Sequence, residues 1–223
     1  MFGRSERDDG KTRVKICGIT NAPDAVVAIE CGADALGWNF FRGSKRFIPP
    51  ERATAIIREL PKPVAHVAIL VNPTLDEALA LGDSGTFTAL QLHGTETPAF
   101  CARLGARGVR FAKAIPVTAN GAVEPIAAFA TDIIVLDSIV QDQFGGTGVA
   151  VPWQVARELR DRESAIRIVL AGGLTPENVC EAIRVVRPFG VDVTTAVEAA
   201  PGRKEHARLR AFFAAVQSAQ RLA

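Results

Sequence analysis

The stretch Arg13-Val14-Lys15-Ile16-Cys17-Gly18-Ile19-Thr20 is the first β-rich run of the chain, and it begins the alternation that decides the fold. A run with helical periodicity covers Pro23–Cys31, and a second apolar run comes after it at Ala35–Phe40. Strands that alternate with helices pair in parallel through right-handed crossovers. Because this strand–helix unit continues along the whole chain, the sequence predicts an α/β protein built around a parallel sheet.

Eight such units succeed one another within 223 residues, with no composition shift or long linker between them. The predicted strands are Arg13–Cys17, Ala35–Phe40, Val64–Val71, Ala89–His93, Val109–Ile115, Ile133–Asp137, Ile166–Ala171 and Val191–Thr194. The predicted helices are Pro23–Cys31, Pro49–Leu60, Thr74–Gly82, Pro98–Gly105, Ala122–Ala130, Pro152–Arg160, Pro176–Arg184 and Glu205–Arg221.

Eight units in succession are typical of a closed (β/α)8 TIM barrel. The alternative is an open doubly wound sheet, which usually has fewer strands and carries a Gly-rich fingerprint after the first of them. This chain has Cys17-Gly18-Ile19-Thr20 at that point, which is not such a fingerprint. We therefore expect a single-domain barrel over residues 13–223, preceded by a mobile tail over residues 1–12.

The composition excludes several classes of protein. Apolar residues make up 48% of the chain, which is too many for a disordered protein. The 26 Lys and Arg residues against 24 Asp and Glu give a net charge of +2, which argues against a dedicated nucleic-acid binder. No apolar stretch approaches the roughly 18 residues of a membrane span, and the N-terminus is polar. We expect a cytoplasmic protein with a small-molecule substrate.

Reactive side chains at the carboxyl ends of barrel strands are the candidates for catalysis. Cys17, His93 and Asp137 end the first, fourth and sixth predicted strands. Lys15 shares a strand face with Cys17, and we expect its ammonium group to lower the pKa of the thiol. Asp137 closes an aliphatic run and suits a general acid. The simpler alternatives are a buried small apolar residue for Cys17 and a turn-capping carboxylate for Asp137. The other three cysteines are expected to be reduced, buried hydrophobes.

Three loops add binding groups to the same end of the barrel. Gly172-Gly173 and Thr194-Thr195 come after the last two strands, where many such barrels hold a phosphate with backbone N–H groups. Arg46, in the loop after the second strand, can bind a carboxylate through two hydrogen bonds. The Gly-rich stretch at 143–148 is either a loop close to the ligand or a flexible connector. The alternative for the two phosphate loops is a pair of tight turns. The alternative for Arg46 is a surface charge with no ligand.

Several motifs appear in an order that matches a known family. They are Lys15-Ile16-Cys17-Gly18-Ile19-Thr20, Ser44-Lys45-Arg46-Phe47, Leu90-Gln91-Leu92-His93-Gly94, Leu136-Asp137, Gly145-Gly146-Thr147-Gly148, Ala171-Gly172-Gly173-Leu174-Thr175-Pro176-Glu177-Asn178-Val179 and Val197-Glu198 with Pro201-Gly202. Over residues 13 to about 215 the chain resembles phosphoribosylanthranilate isomerase, a (β/α)8 enzyme of tryptophan biosynthesis that needs no cofactor or metal. The resemblance implies an aldose–ketose isomerisation of N-(5-phosphoribosyl)anthranilate by acid–base chemistry.

The resemblance also implies a role for each candidate residue. Cys17 corresponds to the general base and Asp137 to the general acid, while Arg46 corresponds to the clamp on the anthranilate carboxylate. The remaining matches divide between substrate and phosphate binding. His93 and Asp192 are expected to contact the substrate, and Gly172, Gly173, Thr195 and Ala196 the phosphate.

The chain departs from the family pattern in the loop after the eighth strand, where Ser-Ser-Gly becomes Thr194-Thr195-Ala196. An alanine in place of that glycine disfavours positive φ and is expected to re-angle the loop slightly. Two alternatives stay open. One is a related phosphate-barrel enzyme, such as an epimerase or indole-glycerol-phosphate synthase. The other is a non-catalytic or altered-specificity phospho-sugar binder. A monomer and a homodimer are equally compatible with the sequence.

Overall fold

A computed structural model of the protein describes residues 10–118, 120–122, 125–138 and 151–221. Its eight parallel strands are β1 (Arg13–Ile16), β2 (Ala35–Asn39), β3 (Ala65–Leu70), β4 (Ala89–Leu92), β5 (Phe111–Thr118), β6 (Ile133–Ser138), β7 (Arg167–Leu170) and β8 (Gly190–Val193). Each strand pairs with the next, β8 pairs with β1, and the circle is complete. The predicted TIM barrel is confirmed.

Seven α-helices are present in the described residues. They are α1 (Ala22–Cys31), α2 (Pro50–Arg58), α3 (Leu75–Gly82), α4 (Pro98–Ala106), α5 (Trp153–Arg162), α6 (Val179–Val186) and α7 (His206–Arg221). Local sequence sets the bounds of α1, because the Asn21 side chain accepts a hydrogen bond of 2.9 Å from the Asp24 N–H at its start. Gly32 ends α1 in the left-handed region at φ 102°. No helix in the described part of the chain is long and apolar enough to cross a membrane.

The helix predicted at Ala122–Ala130 is wrong. Among the residues of this stretch that the structure describes, it has only a four-residue 3-10 turn, Ile126–Phe129. Pro125 precedes the turn and has no N–H for a helical hydrogen bond, and Ala130 ends it with φ 51°. The preceding strand, β5, instead runs on to Thr118 and pairs in antiparallel fashion with Gly121–Ala122.

The apolar residues form two separate cores. One lies inside the barrel and consists of small or β-branched side chains: Ala35, Val67, Ala89, Ala112, Ala114, Ile133, Val135, Val169 and Ala171. The larger core packs the outer face of the strands against the helices, and its biggest fully buried side chains include Trp38, Phe129 and Phe212. Because the barrel interior is filled, a ligand can bind only at its ends.

Candidate active site

All of the predicted site residues line one pocket at the carboxyl end of the barrel strands. They are Cys17, Arg46, His93, Asp137, Gly172, Gly173, Asp192, Thr195 and Ala196. Residues 143–148, the Gly-rich stretch of the sequence prediction, lie outside the described part of the chain. The barrel thus brings together side chains that are up to 179 positions apart along the chain.

Cys17 comes directly after β1 and is held by its backbone, because its N–H donates to the Val193 carbonyl oxygen at 3.0 Å. The thiol packs against Gly37 of β2. A Cβ atom added at Gly37 would lie 2.9 Å from the Cys17 Sγ and 3.0 Å from the Ile69 Cδ1. Gly37 therefore leaves the space that the thiol occupies, a role that the sequence analysis did not recognise.

Lys15 lies one layer below the thiol, fully buried, and pairs with Asp192 on the adjacent strand. The two residues are register partners in β1 and β8, and the Lys15 Nζ lies 2.5 Å from the Asp192 Oδ2. Burial lowers the pKa of the Lys15 ammonium group, but attraction by Asp192 and Cys17 outweighs it and leaves the pKa raised. The other Asp192 oxygen, Oδ1, is buried without a hydrogen-bond partner in the described residues.

Lys15 lowers the pKa of the Cys17 thiol, as expected, but the net shift of that pKa is upward. Burial raises the pKa of the Cys17 thiol above its ordinary value, and this outweighs the lowering effect of Lys15 and Lys204. Asp192 adds to the increase, because its negative charge disfavours a thiolate nearby. The sequence showed the ammonium group next to the thiol but not the carboxylate that neutralises it.

Asp137 lies near the end of β6 and has a polar neighbour at each carboxylate oxygen. Its Oδ1 accepts a hydrogen bond from the Ser138 N–H at 2.8 Å, and its Oδ2 lies 3.2 Å from the His93 Nε2. The Gln91 amide nitrogen lies 3.0 Å from the His93 Nδ1. Because an amide nitrogen only donates, the Nδ1 accepts in this arrangement. The Gln91–His93 pair therefore places the imidazole ring against the Asp137 carboxyl group.

Gly172, at the start of the loop after β7, lies against the same carboxyl group. A Cβ atom at this position would come within 2.7 Å of both the Asp137 Oδ1 and the Ser138 backbone nitrogen, and its φ of 73° is left-handed. No other residue combines that conformation with so close an approach at low cost. The predicted phosphate loop therefore also forms one wall of the Asp137 site.

The loop after β7 is braced by Asn178. Its Nδ2 donates to the Gly173 carbonyl oxygen at 2.9 Å, and its Oδ1 accepts from the Thr175 N–H at 2.8 Å. The predicted helix start at Pro176 is wrong for this reason. Pro176 and the two residues after it form a turn that belongs to the loop, and α6 begins at Val179.

The loop after β8 lies beside the loop after β7, because the two strands are hydrogen-bonded neighbours. It contains a short 3-10 turn, Thr195–Val197. Ala196 is not among the residues with positive φ, so it occupies this turn without backbone strain. Its carbonyl oxygen accepts a hydrogen bond of 3.0 Å from the Arg208 Nη1, which ties the turn to α7.

Arg46 reaches the pocket from the loop after β2 and crosses over Gly18. A Cβ atom at Gly18 would lie 2.7 Å from the Arg46 Cδ, so the absence of a side chain there creates the path of the arginine stem. The Arg46 Nη2 donates to the Thr195 Oγ1 at 3.1 Å and to the Glu198 Oε2 at 2.7 Å. Glu198 belongs to one of the family motifs, but the sequence does not indicate its contact with Arg46.

Asn39, at the end of β2, also lines the pocket. Its Oδ1 accepts a hydrogen bond of 2.9 Å from the Phe41 N–H, so its amide shapes the loop that carries Arg46.

Comparison with known proteins identifies the family to which this site belongs. The family model for N-(5'-phosphoribosyl)anthranilate (PRA) isomerase matches residues 14–215. The chain belongs to the phosphoribosylanthranilate isomerase family. The family member of that name from Trichlorobacter lovleyi is 44% identical over 200 residues, which cover 90% of this chain and 95% of the relative.

Solved structures of phosphoribosylanthranilate isomerases agree with this assignment. The enzyme from Thermus thermophilus is 37% identical, with a TM-score of 0.82 over 93% of this chain and 99% of that one. A second structure, a complex with reduced 1-(o-carboxyphenylamino)-1-deoxyribulose 5-phosphate, is also 37% identical, with a TM-score of 0.77 over the same shares of both chains.

Proposed function

We propose that this protein isomerises N-(5-phosphoribosyl)anthranilate to 1-(2-carboxyphenylamino)-1-deoxyribulose 5-phosphate, with Asp137 as general acid and Cys17 as general base. The observation that carries the proposal is the position of these two groups in one pocket. They extend from β1 and β6, which are separated by β7 and β8 around the barrel. A sugar that lies between the two groups therefore has an acid on one side and a base on the other.

The reaction requires two proton transfers. In the first, the Asp137 carboxyl group gives its proton to the furanose ring oxygen, the bond from that oxygen to C1 breaks, and the nitrogen lone pair forms an iminium with C1. In the second, the Cys17 thiolate removes the proton from C2, and the electron pair of that C–H bond neutralises the iminium to give an enolamine. Tautomerisation of the enolamine gives the ketone. Since the substrate's own iminium accepts the electrons, the protein contributes the acid and the base that transfer the protons.

The electrostatics of the pocket suit this order of events. The hydrogen bond from the Ser138 N–H and the adjacent His93 ring hold the Asp137 carboxyl group and leave further lone pairs on its oxygens for the proton to be delivered. The raised pKa of the Cys17 thiol makes its thiolate a strong base. A strong base matches the second step, because a C–H proton is a weak acid even beside an iminium.

Three further contacts are assigned to the substrate. Arg46 binds the anthranilate carboxylate, in keeping with its charge and its place at the pocket rim. The Asp192 Oδ1, buried and without a partner in the described residues, accepts a hydrogen bond from a ribose hydroxyl group. The phosphate lies between Gly172–Gly173 and Thr195–Ala196, where two adjacent loops offer backbone N–H groups.

Replacement of the two catalytic groups tests the proposal. Cys17→Ala and Asp137→Asn should each lower kcat by roughly 10²–10⁴, the usual contribution of a positioned acid or base. Cys101→Ala is the matched control, because Cys101 is buried in α4 and does not line the pocket. Loss of anthranilate fluorescence measures turnover. Wild-type kcat in Cys17→Ala would remove the thiol from the mechanism, and loss of affinity together with kcat in Asp137→Asn would make Asp137 a binding residue.

Growth is a second measure of the same function. The gene should restore growth without tryptophan to a strain that lacks this isomerase, and the Cys17→Ala variant should not. A non-catalytic phospho-sugar-binding barrel would bind product analogues, but its unaltered gene would not restore growth. Family membership and the paired acid and base disfavour that alternative.

A further inference from the structure

Glu198 lies behind Arg46 at the edge of the pocket, with a side chain that is only 3% exposed. It comes directly after the 3-10 turn of the loop after β8, and it contacts Arg46 across 152 positions of the sequence. The Arg46 Nε donates to both carboxylate oxygens, at 3.0 and 3.1 Å, and Nη2 donates to Oε2 at 2.7 Å. This is the two-pronged geometry in which a guanidinium group and a carboxylate hold each other in one orientation.

Glu198 is itself held in place by two further donors. Its Oε1 accepts from the Lys204 Nζ at 3.0 Å and from the Gly202 N–H at 3.2 Å. The Lys204 ammonium group is fully buried, and its other hydrogen bonds go to the carbonyl oxygens of Cys17, at 2.6 Å, and Thr194, at 3.3 Å. Lys204 therefore has three acceptors for its three protons. It connects Glu198 to the backbone at the ends of β1 and β8.

The charges of this cluster leave Arg46 as its outward-facing cation. One carboxylate faces two cations, of which Lys204 is fully buried and Arg46 is 15% exposed. The Arg46 Nε and Nη2 point to Glu198 and Thr195, whereas no hydrogen bond of Nη1 is found within the described residues. An arginine held along one edge in this way presents its remaining N–H groups in a fixed direction.

We propose that Glu198 is the positioning residue for the carboxylate-binding arginine: it holds Arg46 in the orientation that recognises the anthranilate carboxylate of the substrate. This inference rests on the proposed role of Arg46. Lys204 extends the arrangement to the Cys17 backbone, so the clamp and the base share one support. Glu198 does not touch the reacting atoms, and its effect should appear in substrate recognition and not in proton transfer.

A pair of ligands isolates the contribution of the clamp. The first is the reduced 1-(2-carboxyphenylamino)-1-deoxyribulose 5-phosphate, and the second is the same compound with a phenyl ring that lacks the carboxylate. The ratio of their Kd values, measured by calorimetry, is the carboxylate selectivity. Phosphate and sugar contacts are common to both ligands, so they cancel in this ratio.

Glu198→Gln keeps the shape of the side chain but removes its charge and turns one acceptor into a donor. We expect the carboxylate selectivity to fall by about tenfold, which is the loss of one well-oriented charge-assisted hydrogen bond. KM should rise by a similar factor, while kcat stays within about threefold of the wild type. Arg46→Ala should reduce the selectivity at least as far, and Glu198→Gln should add little in the Arg46→Ala background.

Glu96 provides a matched control. It is also a buried glutamate, 2% exposed, and its Oε2 lies 3.0 Å from the Nζ of a buried lysine, Lys113. Glu96→Gln should lower the stability of the fold as any broken buried ion pair does, but it should leave the carboxylate selectivity unchanged. If Glu96→Gln lowered the selectivity as much as Glu198→Gln, general loosening of the barrel would explain both, and the inference would fail.

The remaining outcomes separate the inference from the proposed function. Unchanged selectivity in Arg46→Ala would show that Arg46 is not the clamp, which overturns the proposed role of Arg46 and with it the role of Glu198. Lost selectivity in Arg46→Ala with wild-type selectivity in Glu198→Gln would overturn only the role of Glu198. Higher selectivity in Glu198→Gln would show that Glu198 competes with the ligand, which also overturns it. If Glu198→Gln does not fold, Glu198→Asp decides: its shorter carboxylate should lower the selectivity, and a wild-type value would refute the inference.

Discussion

The space beside the Cys17 thiol, the proposed general base, gives the sharpest prediction of this structure. In Gly37→Ala the new Cβ would lie 2.9 Å from the Cys17 Sγ and 3.1 Å from the Cys17 Cα. Ordinary contacts between such atoms are about 3.5–4.0 Å, so the Sγ must move by about 0.6–1.1 Å. A displacement of about 1 Å in a reacting group costs up to about a hundredfold in rate. We therefore expect kcat to fall by about 10- to 100-fold.

The same substitution should cost about 1–3 kcal/mol in the free energy of unfolding, as overpacking of a core usually does. Part of this cost comes from the sulfur atom, so it should be smaller when Gly37→Ala is made in a Cys17→Ala background. Gly105→Ala is the control, because its Cβ would have only ordinary contacts, at 3.7 and 3.8 Å. Fluorescence turnover and chemical denaturation measure the two effects. A folded Gly37→Ala enzyme with wild-type kcat would refute a fixed thiol position.

Single residues give four other predictions. Burial lowers the pKa of His66 from 6.5 to about 4, so the folded state binds fewer protons than the unfolded state between these values. The free energy of unfolding should therefore fall by about 3 kcal/mol as the pH drops from 6.5 to below 4, and His66→Asn should flatten this dependence in urea titrations. Alkylation of Cys17 by iodoacetamide should show a pKa above that of an ordinary cysteine, and a lower one would contradict the effect of burial. KM should rise in Arg46→Ala, and Arg46→Lys should show a smaller rise, because an ammonium group cannot replace both hydrogen bonds of the guanidinium group. A wild-type KM for Arg46→Lys would mean simple charge steering. In phosphate-binding measurements Ala196→Gly should change affinity by less than about tenfold, and Thr195→Val should weaken it more; the reverse order would refute the placement of the phosphate.

Most of the fold could be predicted from the sequence, because strand and helix signals agree with each other along most of the chain. Asn21 and Gly32 mark the ends of α1 by local chemistry that needs no tertiary contact. The predicted fifth helix failed because an Ala-rich run with helical propensity was read without the effect of Pro125 within it. The start of α6 was misplaced because Asn178 uses its side chain to brace the loop, which is a tertiary contact.

The residues that line the pocket could be predicted where a reactive side chain ends a strand. Cys17, His93 and Asp137 carry that signal, since the topology of a barrel brings all strand ends to one mouth. Gly37 and Glu198 carry no comparable signal. The role of Gly37 depends on a close approach between neighbouring strands, and that of Glu198 on a contact with Arg46 across 152 positions. Neither a glycine within a strand nor the Val197-Glu198 motif indicates these contacts.

The charges around the thiol explain why the nearby Lys15, taken alone, predicts the wrong direction for the net pKa shift of Cys17. Two ammonium groups lie near Cys17, Lys15 below it and Lys204 on its carbonyl oxygen. Each of them is paired with its own carboxylate, Asp192 in the first case and Glu198 in the second. Since both cations are neutralised locally, burial controls the thiol and raises its pKa. The thiol therefore rests mainly in its protonated form at neutral pH, and the small thiolate fraction is a correspondingly stronger base. Burial therefore has two opposing effects on a general base at this position, because it strengthens the thiolate and reduces the fraction of the protein that carries it.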